Sequence, residues 1–106
     1  MTYEELSNKR LALYREYEKQ KEQLETEYAQ EHNPVKIGDI VTDHYHTIRV
    51  ENMSVYGHPI PCMRYTGIAM TKKGVPAKRQ PVPREPVFQE YMKTINGNIY
   101  QYEEEI

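Results

Sequence analysis

The chain has 106 residues, with 14 Lys or Arg against 16 Asp or Glu and a formal net charge of −2. Leu, Ile, Val and Phe make up just under a fifth of it, which is lean for a globular domain, and ten tyrosines supply part of the missing apolar surface. This composition excludes disorder driven by self-repulsion. The single cysteine, Cys62, excludes an internal disulfide, and no apolar run approaches the roughly 20 residues of a membrane span.

The first element is a helix over about residues 2–32. All four leucines lie before residue 25, every Val and Ile lies at or after Val35, and no Gly or Pro precedes Pro34. Leucine and long charged side chains keep their rotamer freedom in a helix, whereas β-branched ones pack better on strands. Thr2 followed by Glu5 is a capping signal, and Pro34 disfavours helical geometry at Asn33. Leu6, Leu13, Tyr17, Leu24 and Tyr28 are spaced 7, 4, 7 and 4 along one stripe. Arg10 and Gln20 interrupt it, which makes a weak coiled-coil seam. Thirty helical residues span roughly 45 Å, against about 25 Å for a compact 70-residue β-domain. The helix is therefore expected to overhang, with its stripe either packed across its own domain or used for oligomerisation.

From residue 34 the pattern turns to short strands. "VKIGDIVTD" (35–43) sets a Gly-Asp turn before an entering strand, and Ile48 and Val50 alternate with Arg49 and Glu51, as in a strand buried on one face. "IPCMRYTGIAMT" is a long apolar strand with Gly67 as a bend or bulge. "KKG" turns the chain and "VPAKR" begins a return. Three prolines within 81–86 make "QPVPREPVF" an extended edge. "QEYMKTI" and "NIYQY" flank Asn96-Gly97, a two-residue hairpin signal. The expected fold is α+β: a helical arm (1–33), then a small antiparallel barrel or bent sheet of five or six strands with an acidic tail (34–106).

The opening "VKIGDIV" resembles the first strand of SH3-like small barrels, including the KOW type. The order of long charged helix, Gly-Asp-Ile-Val and "YTGIAMTKKGVPAK" resembles small proteins of Bacteroidetes and their phages and mobile elements. That resemblance implies an accessory protein that inhibits host machinery.

No catalytic constellation stands out. Cys62 lies between Pro61 and Met63 in an apolar strand, where a buried, inert thiol is the usual outcome. A zinc set of His44, His46, His58 and Cys62 matches no common module spacing, so neither a metal nor a cofactor is assigned. Three histidines within residues 44–58 make a local pH-dependent charge conceivable.

The charge is uneven. Residues 64–84 hold six bases and no acid, and every other segment is net acidic. Arg64, Tyr65, Lys72, Lys73, Lys78, Arg79 and Arg84 are the candidate binding residues, since phosphate-pairing cations interleaved with rings suit nucleic acid. The acidic helix and tail would repel a long duplex. The reading is a cytoplasmic, non-enzymatic interaction module for a protein or protein–nucleic-acid complex, with a homo-oligomer through the helix. Direct RNA or DNA binding, and sequestration of an anionic nucleotide between protomers, are the alternatives.

Overall fold

The computed structural model describes residues 1–57 and 59–103. His58 and the last three residues of the acidic tail lie outside the described residues. Helix α1 runs Tyr3–Glu31. Thr2 caps it, its Oγ1 accepting from the Glu5 N–H at 3.1 Å, and Glu4 and Glu5 place negative charge on the first turn, where the helix dipole favours it.

The rest of the chain forms β1 (Ile40–Thr42), β2 (Thr47–Tyr56), β3 (Cys62–Ala69), β4 (Val87–Phe88), a 3-10 turn (Gln89–Tyr91), β5 (Thr94–Ile95) and β6 (Asn98–Ile99). These strands make one antiparallel sheet in the order β4-β3-β2-β1-β5-β6. Among the described residues it is open, with β4 and β6 as its edges. The α+β architecture and the strand count agree with expectation; a closed barrel is not what these strands form.

The Asn96-Gly97 hairpin forms as the residue types require, with φ of 50° and 82°. Both central residues have positive φ, the condition that matches a tight hairpin to the twist of its strands. Gly67 packs against an irregularity in its partner strand rather than in its own. The β2–β3 register slips between Val50 and Asn52, and a Cβ at Gly67 would lie 1.8 Å from the Arg49 carbonyl oxygen. The bulge brings backbone so close that no larger residue fits.

Two expectations need correction. "VPAKR" does not return as a strand: its pairing amounts to the Met70–Pro76 bridge and two bonds, from the Thr71 N–H to the Val75 carbonyl at 2.8 Å and from the Ala77 N–H to the Ala69 carbonyl at 2.9 Å. Pro76 within it and Pro81 after it have no N–H to donate. The Gln80 side chain takes the place of a strand, accepting from the Ala69 N–H at 2.7 Å and donating to the Ala69 carbonyl at 3.1 Å. "QEYMKTI" is not a continuous strand either. It starts with the 3-10 turn, and only Thr94 and Ile95 pair with β1.

The core comprises Val35, Val41, Ile48, Val50, Met63, Tyr65, Val87 and Met92, with Ala29 from the helix. Among the described residues of α1, Ala29 alone is buried. The helix is tied on at its C-terminal end by polar contacts. Asn33 Oδ1 accepts from the Tyr65 hydroxyl at 2.7 Å and the Val35 N–H at 3.0 Å. Buried Gln89 accepts from the Met63 N–H at 2.9 Å, and its Nε2 donates to the His32 carbonyl at 2.9 Å and the Tyr100 hydroxyl at 3.2 Å. The remainder of α1 projects. A compact chain of this length would have a radius of gyration of about 13 Å; the value is 18.6 Å, with a long dimension of 67 Å.

Candidate interaction surfaces

The projecting helix is the first surface. Leu13, Tyr17 and Leu24 are 73%, 62% and 66% exposed, and Leu6 is half-buried. Tyr14 and Leu11 add exposed apolar area beside them. Tyr28 belongs to the junction instead: it is half-buried, its ring lies 4.4 Å from that of His32, and it lines a cleft of about 230 Å³ with Cys62, Gln89 and Tyr100. The structure thus leaves four of the five stripe residues along the overhang and places the fifth against the sheet domain.

The basic segment is the second surface. Lys72 and Lys73 sit on a turn closed by a bond from the Thr71 N–H to the Val75 carbonyl at 2.8 Å, with Gly74 at φ 80°. Lys72, Lys73, Lys78 and Arg79 are exposed. Arg64 is exposed on β3, beside Phe88 of β4. Arg84 forms an ion pair with Glu51 on β2, which offsets its charge. Tyr65 is fully buried in the core, so its ring cannot stack on a base. Burial, with smaller contributions from Tyr100 and Cys62, pushes its hydroxyl above its ordinary range. Neighbouring Arg64 and Tyr65 thus point to opposite faces, as alternation along a strand demands.

The third surface was not foreseen. A groove of about 460 Å³ runs between the β1–β2 loop and the segment of β4 and the 3-10 turn. Exposed Tyr45 and Tyr91, with His44, Pro86 and Phe88, line it, and Asp43, Glu90 and Lys93 supply charge. Asp43 builds the loop: its Oδ1 accepts from the N–H groups of Tyr45 at 2.8 Å and His46 at 2.6 Å. The His46 ring then bridges Asp43 Oδ2 (3.2 Å) and Glu85 Oε2 (2.5 Å), fastening the proline-rich segment to the loop. Burial works against charge on His46, but the hydrogen bonds and charges of Asp43 and Glu85 outweigh it and raise its pKa above 6.5. On the far side Tyr56 packs on Phe88 at 4.6 Å and donates its hydroxyl to Glu90. The signal was present as His44-Tyr45-His46, Phe88 and Tyr91, but only strand pairing unites residues so far apart.

Cys62 is 3% exposed. Burial foremost, with the Glu90 charge adding to it, pushes its thiol up, against smaller opposing hydrogen bonds from Tyr56 and the Glu90 backbone. A protonated, enclosed thiol is a poor nucleophile. Among the described residues no three of His, Cys, Asp and Glu gather as metal ligands, and no helix is long and apolar enough to cross a membrane. Comparison of the chain with protein-family models, curated proteins and solved structures gives no match.

Proposed function

We propose that this chain is a non-enzymatic interaction module: α1 is an association arm, and the sheet domain carries the surface for a macromolecular partner. One observation carries the reading. Leu13, Tyr17 and Leu24 stand on one face of a helix that is clear of its own domain, each more than 60% exposed. Single exposed apolar residues are ordinary, but a continuous exposed row is characteristic of surfaces that are covered in use. Isolated helices are also marginal in water, and tertiary or quaternary packing normally stabilises them.

An SH3-like frame is part of the proposal. The run β4-β3-β2-β1-β5, with a 3-10 turn between β4 and β5, supports it. The biological role that goes with this reading is an accessory protein of a phage or mobile element that inhibits host machinery by binding it.

Sedimentation velocity over a concentration series tests the association arm. The expected result is a mass that rises above 12.6 kDa in the intact chain and stays there in the L13E/L24E variant. An intact chain that remains monomeric at its highest soluble concentration sinks the reading.

A second reading is direct binding of single-stranded nucleic acid. The exposed, acid-free run of Lys72, Lys73, Lys78 and Arg79 favours it, because phosphate contacts supply most non-specific affinity. Fluorescence anisotropy with single-stranded RNA and DNA at two salt concentrations decides it. Binding that survives replacement of all four cations by Ala eliminates this segment as the site.

A further inference from the structure

The stripe along the overhang has an internal symmetry. Leu6, Leu13, Tyr17 and Leu24 are spaced 7, 4 and 7, so the row reads the same from either end, about residue 15. We propose that the helix pairs with the helix of a second copy of this chain in antiparallel orientation, in the register that sets together residues whose numbers add to 30. This rests on the proposed association arm and specifies its partner, direction and register.

That register sets Leu6 against the partner's Leu24 and Leu13 against the partner's Tyr17, with both pairs repeated by the two-fold axis. It also resolves the two polar interruptions. Arg10 falls opposite the partner's Gln20, whereas a parallel, in-register pair would place two Arg10 guanidinium groups side by side within the seam. The Gln20 Nε2 already donates to Glu16 Oε1 at 3.1 Å, so its carbonyl oxygen is the group available to accept from a guanidinium. Arginine is purely a donor and needs such an acceptor.

Charge selects the same direction. Residues 3–15 carry three bases and two acids, a net +1. Residues 16–31 carry two bases and six acids, a net −4. A parallel pair lays the acidic half along another acidic half. An antiparallel pair lays it along the basic half, and complementary juxtaposition of this kind suppresses the wrong partner arrangement.

The sheet domain leaves room for the partner. At about 100° of rotation per residue, the four stripe residues fall within about 40° of one another, and Ala29, the residue buried against the sheet, lies about 140° from them. A second helix can therefore approach the stripe from the side turned away from the domain. The seam from residue 6 to residue 24 is about 27 Å long, and no residue of α1 over that length is buried.

Two measurements on the full chain decide the proposal. In the first, L6C and L24C are made singly, oxidised mildly, and compared alone and mixed by non-reducing mass analysis; Cys62 is buried. The expected result is a disulfide-linked dimer joining position 6 to position 24 in the mixture, at least several-fold above any linked dimer in either variant alone. Linked dimers formed by each variant alone mean a parallel pair and overturn the proposal while leaving the association arm intact. A chain that is monomeric by mass and links in no combination overturns both. In the second measurement, Q20E places a carboxylate opposite Arg10 in the antiparallel pair, and sets two carboxylates against each other in a parallel one. The dissociation constant at low salt is expected to fall at least three-fold. An unchanged or higher value overturns the antiparallel register without any cysteine in the seam.

Discussion

Gln89 is the residue through which the projecting helix, β3 and the C-terminal segment are held together, and its replacement by Ala has a magnitude that follows from its partners. Its side chain is 1% exposed and makes three hydrogen bonds. Removal leaves the Met63 N–H without an acceptor inside β3, where Met63 is 4% exposed. A buried donor left unpaired costs about 1–3 kcal/mol. The bonds to the His32 carbonyl and the Tyr100 hydroxyl are only part-buried, and water can replace them in part, so they add about 1 kcal/mol between them. The expected total is about 3 kcal/mol, a large share of the 5–15 kcal/mol by which domains are usually stable. With a urea dependence of about 1.5 kcal/mol per molar for a chain of this size, the midpoint should fall by about 2 M. Tyrosine fluorescence is a suitable probe, because the chain has ten Tyr and no Trp and six of the ten lie after residue 34, in the sheet domain. Q89E is a sharper control. Its carboxylate can still accept from the Met63 N–H but turns only acceptors toward the His32 carbonyl. It should therefore be at least as destabilising at neutral pH and recover part of the loss under acid conditions that protonate it. A Q89A midpoint within about 0.5 M of the parent would refute the assignment of the junction to this side chain.

Three further outcomes are expected. Gly67→Ala forces a Cβ against the Arg49 carbonyl and the Glu51 nitrogen; with backbone on both sides the strand must move, and a loss of at least about 2 kcal/mol in urea denaturation is expected. His46→Gln should show a pH-dependent penalty. Because the folded pKa of His46 is raised above 6.5, its contribution is complete below that value and is lost as the pH rises through the folded pKa. The difference in midpoint from the parent should thus be largest in mildly acidic urea titrations and close at alkaline pH; a gap that widens with pH contradicts the Asp43–His46–Glu85 bridge. Tyr65→Phe removes the hydroxyl that donates to Asn33 but leaves Asn33 Oδ1 with the Val35 N–H, so a loss of only about 1 kcal/mol is expected, and thermal unfolding that shows no loss would mean that this bond adds nothing.

Much of the architecture is legible in residue types that act locally. Leucine without valine or isoleucine before residue 34, Thr2 with Glu5 at the start and Pro34 beyond the end suffice for α1, and Asn96-Gly97 suffices for its hairpin. The parts that escape a sequence reading are those in which a side chain does a backbone's work. Gln80 completes the edge of β3 and Gln89 serves its opposite end, and neither has a local pattern to signal it. The burial of Tyr65 was legible in principle, since Met63, Tyr65 and Gly67 alternate onto one face. Directly after Arg64, its ring suits base stacking by residue type, and only its phase along the strand distinguishes a core ring from a surface one. The groove of Tyr45, Phe88 and Tyr91 exists only through the pairing of β3 with β4 and the bond of His46 to Glu85, and long-range pairing is what single-sequence patterns carry least.

Hydrogen exchange of the full chain at two widely separated concentrations reads out whether α1 is covered by a partner, since binding protects amides by mass action and an uncovered projecting helix opens easily. The expected result is that amides between Leu6 and Leu24 gain protection at the higher concentration, while core amides of β2 and β3, such as Val50 and Met63, do not change. Equal exchange of the helical amides at both concentrations would contradict the account.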